Sequence, residues 1–296
     1  MSDQATTPIE PTPAATAVKD LSLARIALRN RGVFWGGAIL IVIALFAIFG
    51  PLFTLDPMEL NPTNRLKPPG GAGTFGTDML GRDVYSRVIS GARVSLIVGL
   101  VVSVVAVVVG LFLGLIAGYI RLADALIMRL MDGLMSIPAI LLAIALIALS
   151  GATLGTVVLA IVIPEIPRVV RLVRSVVLTV REEPYVEAAI SAGTRVPTIL
   201  VRHVLPNTIA PLIVQATYIC GSAMLTESIL GFLGAGSPPE IPSWGNIMSE
   251  GRTFFQLTPW IIFFPGICLA VTVLAVNVVG DGLRDTLDPR IARNMR

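Results

Sequence analysis

The chain has 296 residues, of which 54% are hydrophobic and only 14% are charged, and its mean hydropathy is +0.83. Because a soluble domain carries about a quarter of its residues as charged side chains, this composition excludes an ordinary soluble enzyme and predicts a membrane protein. The formal net charge of +3 is too small to indicate a nucleic-acid-binding protein. The apolar stretches are too long for barrel strands, so the membrane spans are predicted to be helices.

The chain is predicted to have three parts. Residues 1–32 form a disordered and basic amphipathic N-terminus, because they are rich in Pro, Thr and Ala and end in several arginines. Residues 33–283 form a six-span transmembrane domain, and residues 284–296 form a C-terminal tail. The predicted spans are 33–53, 94–120, 125–149, 156–177, 208–231 and 259–280. Three prolines are predicted to bend spans three and four: Pro138, Pro164 and Pro167.

The distribution of basic residues predicts the orientation. Six spans place both termini on the same side of the membrane, and with that side inside, the inner segments hold most of the 22 Lys and Arg residues. Basic residues concentrate on the cytoplasmic side of membrane proteins. We therefore expect both termini and the loop 178–207 to face the cytoplasm.

Small residues recur every four positions in span two, at Ala106, Gly110, Gly114 and Gly118. Such a stripe allows a neighbouring helix to approach closely. The sequence leaves open whether that helix belongs to this chain or to another.

Several charged residues fall at membrane depth, where ionisable groups are costly. Glu165, Arg168, Arg171 and Arg174 occur every third residue. They form either the polar face of a helix leaving the membrane, with Glu165 paired to Arg168, or the lining of a translocation path. Glu227 is isolated, and it either contacts a partner helix or faces a cavity that meets substrate or a gate.

Other charges are predicted to be structural. Asp132 has the spacing to pair with Arg129, and Asp83 has the spacing to pair with Arg87. Asp78 and Asp83 could suggest cation ligands, but the adjacent arginines argue against a metal site. With one histidine, two cysteines and no nucleophile–base pair, we predict no catalytic residue and no bound metal.

The loop 178–207 is longer than a connector requires. Its residues favour helix on both sides of Gly193, where a glycine suits a helix end that reverses direction. Pro184 suits a first helical turn, and Pro206 is predicted to break the chain before span five. We expect two short helices at an angle on the cytoplasmic face.

These residues resemble a known motif. The run Glu187-Ala188-Ala189, then Gly193, then a closing Leu205-Pro206 is similar to the EAA loop of bacterial ABC-importer permeases, and "RHVLPN" (202–207) resembles the peptide-importer branch. The consensus usually has Ile where this chain has His203. The resemblance implies that the following residues couple the chain to an ATPase: Tyr185, Glu187, Ala188, Ala189, Gly193, His203, Leu205 and Pro206.

Four further segments resemble the dipeptide/oligopeptide/nickel permease family, C-type subunit: "RNRG" (29–32), "FGTDMLGRDVYSRVISGARVSL" (75–96), "FLGAGSPPEIPSWGNIM" (232–248) and "GDGLRDTLDPR" (280–290). This resemblance implies an all-α membrane fold like that of an ABC type I importer permease, with six transmembrane helices and a cytoplasmic coupling loop.

The resemblance also implies a function and an assembly. The chain would be the permease subunit of an ATP-driven peptide importer in the plasma membrane of a prokaryote, forming half of the translocation pathway. Its partners would be a second homologous permease subunit, two ATPase subunits, an extracytoplasmic substrate-binding protein and membrane lipid. No G-x-x-x-x-G-K-[ST] motif is present, so ATP and Mg would be bound by the ATPases, and this chain would hold no cofactor. The alternative is a stand-alone proton-coupled secondary transporter that uses Glu165 and Glu227, although no inverted internal repeat supports it.

Overall fold

The computed structural model describes residues 30–287, and within them every regular element is a helix. The predicted disordered N-terminus up to residue 29, and the tail from residue 288, lie outside the described residues. The helices are α1 (Arg31–Phe49), α2 (Val84–Tyr119), α3 (Arg121–Met135), α4 (Ala139–Ser150), α5 (Leu154–Arg181), α6 (Pro184–Ser191), α7 (Val196–Ile199), α8 (Leu205–Phe232), α9 (Trp244–Gly251) and α10 (Trp260–Leu287). A π-helical turn, Leu200–Val204, joins α7 to α8.

Among the described residues, four helical stretches are long and apolar enough to cross a membrane: Arg31–Leu52, Val84–Tyr119, Val196–Phe232 and Trp260–Leu287. The bent pair α3 and α4 brings the number to five if the two helices form one span. Helix α5 has 28 residues, enough to cross, but its centre and C-terminal half carry one glutamate and several arginines. The count of six spans therefore stays a prediction.

The helix bounds differ from the predicted spans, most clearly in spans two and three. Helix α2 begins ten residues before the predicted start of span two, because the Asp83 side chain caps it by accepting a hydrogen bond of 2.8 Å from the Ser86 amide. The predicted span three consists of two helices that meet at 89°, with Pro138 at the start of α4. In contrast, α5 continues through Pro164 and Pro167 as one helix.

The central packing contact joins α2 to α5. The glycine stripe of α2 faces valines of α5 at the same four-residue spacing, in the pairs Gly110–Val169, Gly114–Val173 and Gly118–Val177. A Cβ atom at Gly114 would lie 2.6 Å from the Val173 Cβ, closer than two carbons can approach. Ala106 is completely buried in the same core. The helix that packs closely against the glycine stripe is thus α5 of this chain.

One end of the helix bundle carries the loop 54–83 and helix α9; we label it the outer end, after the orientation predicted from the sequence. The Trp244 side chain of α9 is buried, and its indole Nε1 donates a 3.0 Å hydrogen bond to the Val88 carbonyl of α2. The opposite end, the inner end, carries α6, α7 and the π-helical turn. Helices α2, α5 and α8 connect the two ends.

A cluster of four charges, three of them buried and the Glu250 side chain half-buried, ties the loop 54–83 to α9. Arg87 donates to the Asp78 carboxylate at 2.7 Å and to the Glu250 carboxylate at 2.9 Å. Arg82 donates to the same two carboxylates, at 2.6 and 2.5 Å. The predicted Asp83–Arg87 pair is therefore wrong, because Asp83 caps α2 and Arg87 turns towards Asp78. We call these residues (Asp78, Arg82, Arg87 and Glu250) the outer clamp.

Two ion pairs join α3 to α5 nearer the inner end. Arg171 donates to Asp132 at 2.6 Å, and Arg174 donates to Asp124 at 2.5 and 2.7 Å. The predicted pairing of Asp132 with Arg129 is wrong, because Asp132 reaches across to α5 instead. These pairs use two of the arginines that the sequence spaces along α5.

Candidate functional site

The inner end presents two helical segments separated by a sharp reversal. Gly193 has φ +77°, the left-handed backbone that suits glycine. Its amide donates to the Ile190 carbonyl at 2.9 Å, and the Thr194 amide donates to the Ala189 carbonyl at 3.1 Å. This is the Schellman pattern that ends a helix. Gly193 therefore closes α6 in the way that the sequence predicts.

The second segment is continuous with α8. The π-helical turn begins directly after α7 and passes directly into α8, so residues 196–232 form one uninterrupted helical stretch. The predicted break at Pro206 is wrong, because the helix continues through this proline. Pro206 lies just after the π-helical turn, where the Leu205 amide donates to the Leu200 carbonyl five residues back and the regular four-residue hydrogen-bond pattern is already interrupted. Ile199 and Val204 are buried beneath the turn, which attaches the segment to the bundle.

A polar contact holds α6 against the start of α8. The Asn207 amide group donates to the Tyr185 hydroxyl at 3.2 Å and to the His203 carbonyl at 2.7 Å. The rings of Tyr185 and His203 have centroids 6.0 Å apart. Asn207 thus connects two of the predicted coupling residues, Tyr185 and His203. Asn207 itself was not among the predicted coupling residues.

The outward face of this region is accessible and partly apolar. Tyr185, Ile190 and Val196 are each between 43% and 46% exposed. Glu187 and Ala188 are also exposed, Ala189 and Leu205 are half-buried, and Pro206 is exposed. Beside α6, a cavity of about 450 Å³ is lined by both acids and bases: Arg121, Asp124, Arg181, Glu182 and Glu187. Glu187 therefore lies at the edge of a charged cavity.

A second polar region lies halfway along the bundle. Arg168 Nη1 donates to both oxygens of Glu165 at 3.2 Å, so the i,i+3 pair predicted from the sequence is present. The Ser222 hydroxyl of α8 donates to Glu165 at 3.3 Å, and the Arg168 guanidinium lies 6.0 Å from the centre of the Tyr218 ring. Tyr218 and Ser222 were not predicted from the sequence, although their i,i+4 spacing places them on one face of α8. We call these four residues the central cluster.

Glu227 lies elsewhere and is completely buried. Its Oε2 atom accepts hydrogen bonds of 3.4 Å from the hydroxyls of Ser95 on α2 and of Ser228, while Oε1 has no hydrogen-bond partner. Glu165 and Glu227 are thus held in separate hydrogen-bonding groups. The contact with Ser95 favours the interpretation of Glu227 as a helix contact. Within residues 30–287, no three His, Cys, Asp or Glu side chains form a group that could hold a metal ion.

Comparison with known proteins gives consistent matches. Residues 106–293 match the family model described as binding-protein-dependent transport system inner membrane component, and residues 23–69 match the N-terminal transmembrane domain of oligopeptide transport permease C. The chain is 56% identical over 272 residues to the probable peptide ABC transporter permease protein y4tQ of Sinorhizobium fredii, covering 92% of this chain and 94% of that protein. It is 44% identical over 265 residues to the dipeptide transport system permease protein DppC of Alkalihalophilus pseudofirmus, covering 89% and 87%.

The fold is similar to that of a solved transporter. An inward-facing structure of the MetNI methionine ABC transporter aligns with a TM-score of 0.56 at 18% identity, covering 68% of this chain and 96% of that one. This likeness concerns the fold alone. The family match extends from the glycine stripe of α2 through the loop at Gly193 to the end of α10. The chain therefore belongs to the family of binding-protein-dependent transport system inner membrane components.

Proposed function

We propose that this chain is the permease subunit of an ATP-driven peptide importer, that it forms half of the translocation pathway, and that α6, α7 and the π-helical turn couple it to ATPase subunits. The observation that carries the coupling role is the accessible face at the inner end. Tyr185, Ile190 and Val196 expose apolar area on a rigid, hydrogen-bonded scaffold outside the long helices. An exposed apolar surface with a polar rim is typical of a protein–protein contact.

The attachment of α6 supports this role. Only Glu182 and Glu183 separate α6 from the end of α5. The Asn207 side chain ties α6 to the start of α8 as well. A displacement of α6 would therefore act on two long helices together, one on each side of the central cluster.

The peptide cargo is proposed from the relatives, whose names describe peptide and dipeptide permeases. The partners that complete the system are a second, homologous permease subunit, two ATPase subunits that bind ATP and Mg, and an extracytoplasmic binding protein. The inner end is proposed to face the cytoplasm, together with both chain termini, in the plasma membrane of a prokaryote.

The test is whether the purified chain brings ATPases with it. The chain would be co-expressed with its cognate ATPase and permease partners, extracted in mild detergent through a tag on this chain alone, and assayed for ATP hydrolysis stimulated by the binding protein. Co-purification with stimulated hydrolysis, and peptide uptake by the reconstituted complex, is the expected result. Proton-driven uptake by the isolated chain would instead support the secondary-transporter alternative.

A further inference from the structure

We propose that Arg168, presented by the central cluster, binds the carboxylate of cargo as it passes along this chain; this inference rests on the proposed peptide function. Arg168 lies at the middle of the 28-residue helix α5, and Tyr218 of α8 lies beside it. A 28-residue helix is about 42 Å long, so in a helix that crosses the bilayer Arg168, with Tyr218 beside it, lies near the midplane.

The exposure of these side chains argues against a lipid environment. The Arg168 side chain is 42% exposed, and Tyr218 is 54% exposed beside it. A guanidinium facing lipid at the midplane is costly, and charged groups at this depth typically face a water-filled cavity or the interior of a bundle. The exposed side of the central cluster therefore faces the pathway.

The geometry leaves Arg168 able to bind an anion. Its contact with Glu165 uses Nη1 alone. Among residues 30–287, Nη2 and Nε of Arg168 donate no hydrogen bond, and an arginine fork of this kind matches a carboxylate in a bidentate manner. The Glu165 side chain is only 7% exposed, so it neutralises the charge of Arg168 from the buried side. The guanidinium remains accessible on its exposed side.

The neighbouring groups hold this arrangement. Ser222 donates to Glu165 from α8, which fixes the carboxylate that positions Arg168. The Tyr218 ring lies beside the guanidinium and stabilises its orientation through a cation–π contact. The same ring offers apolar surface next to the bound carboxylate. The chemical class of ligand is thus a carboxylate attached to an apolar or uncharged group, which describes the C-terminal end of a peptide.

Arg171 provides a matched control, because it lies on the same helix and its side chain is 43% exposed, yet it is paired with Asp132 of α3. The assembled importer in proteoliposomes would be supplied with di-, tri- and tetra-alanine, each as the free acid and as the C-terminal amide. Uptake would be measured for the wild type, R168Q, R168K, Y218F, Y218A and R171Q. Because the same binding protein is present throughout, its own preference cancels when each variant's acid-to-amide ratio is divided by that of the wild type.

We expect R168Q to lower the acid-to-amide uptake ratio about 10-fold, the effect of losing a charge-assisted contact. Y218A should lower the ratio, whereas Y218F and R171Q should not. If R168Q does not assemble, R168K keeps the charge without the fork and should still lower the ratio. A wild-type ratio in R168Q, or in R168K where R168Q is not obtained, would overturn the inference. Failure of the wild type to import either form would overturn the peptide function itself.

Discussion

Gly114 of α2 and Val173 of α5 are in direct contact, and a Cβ atom at position 114 would lie only 2.6 Å from the valine Cβ. The same contact recurs four residues away on either side, at Gly110–Val169 and Gly118–Val177. A row of valines on α5 therefore packs against a row of glycines on α2. This contact is the one whose disruption the structure predicts most directly.

Replacing Gly114 with Leu should lower the yield of folded chain and of assembled complex, because the α2–α5 contact cannot accept the added atoms. Gly114→Ala should destabilise the chain by about 1–3 kcal/mol through overpacking, and adding Val173→Ala should restore part of that loss. Thermal unfolding of the detergent-purified complex measures the effect. Gly37→Ala is the control, since no atom lies within 4 Å of its added Cβ. Equal melting of Gly114→Ala and the control would contradict the packing argument.

The reversal at Gly193 should depend on backbone conformation alone, because an added Cβ meets no atom within 4 Å but the φ is +77°. Gly193→Val should uncouple uptake from ATP hydrolysis or weaken ATPase co-purification while the chain remains at normal abundance in the membrane. Gly193→Asn should be tolerated, since Asn adopts the left-handed region more readily. Loss of coupling in both variants alike would exclude the backbone as the cause.

Reversing the charge of Glu187 should also weaken coupling, because this exposed carboxylate borders the charged cavity beside α6. Glu187→Lys is expected to lower binding-protein-stimulated uptake without changing abundance of the chain. Glu240→Lys makes the same change at an exposed position beyond the far end of α8 and serves as the control. Full uptake by Glu187→Lys would return the inner-end loop to the role of a connector.

Glu227 is expected to act as a contact between α2 and α8. Because Gln retains an oxygen for the hydroxyls of Ser95 and Ser228, Glu227→Gln should assemble normally and import within about twofold of the wild type. Glu227→Leu removes the acceptor and should destabilise the chain by about 1–3 kcal/mol. The measurements are uptake by proteoliposomes and thermal unfolding. Slow uptake by a stable Glu227→Gln complex would favour a role in the pathway or gate instead.

The outer clamp should be sensitive to the loss of a single charge. Glu250→Gln leaves the buried Arg82 and Arg87 sharing one carboxylate, and because the Glu250 side chain is itself half-buried we expect a loss of about 1–3 kcal/mol, less than for a fully buried pair. The double variant Arg82→Gln with Glu250→Gln keeps the Arg87–Asp78 pair and should be at least as stable as Glu250→Gln alone. Thermal unfolding tests the order, with the exposed Glu59→Gln in the same loop as the control. A double variant that melts well below the single one would show that the charges act independently.

The orientation can be tested by labelling. In a background in which Cys220 and Cys268 are replaced by Ser, Ser191→Cys and Glu240→Cys should react with a membrane-impermeant maleimide from opposite sides, because α8 separates the two exposed positions. Reaction only at position 240 in intact cells is the expected result. Reaction of both from outside would reject the proposed topology.

Local features of the sequence predicted local structure well. The four-residue spacing of glycines identified a close helix contact, and the helix-forming residues around Gly193 identified the reversal at the inner end. The partner of the stripe could not be read, because valines at the same spacing are common in any apolar helix. The predicted pairs Asp83–Arg87 and Arg129–Asp132 are wrong because i,i+3 and i,i+4 spacing permits a contact but does not exclude another partner. Asp83 instead caps α2 through the Ser86 amide, and Asp132 pairs with Arg171 of another helix.

Contacts between distant residues account for what remained hidden. Glu250 lies 163 residues from Arg87, and Ser222 lies 57 residues from Glu165, so no local pattern connects them. The break predicted at Pro206 is absent because this proline closely follows the π-helical turn, where the regular i→i−4 hydrogen bonds that a proline would interrupt are already replaced. The π-helical turn before it has no recognisable signature in the residues Leu200–Val204.

The row of valines against glycines has a mechanical consequence. Since each valine occupies its own notch, α2 and α5 can slide past one another only by a whole repeat of four residues, about 6 Å, and smaller shifts meet steric resistance. We therefore expect α2 and α5 to move together as one rigid body. A pivot of about 10° at the outer end of α5 would sweep its inner end through about 7 Å. The displacement that the inner end of α5 can undergo is thereby set by how far the α2–α5 pair can tilt.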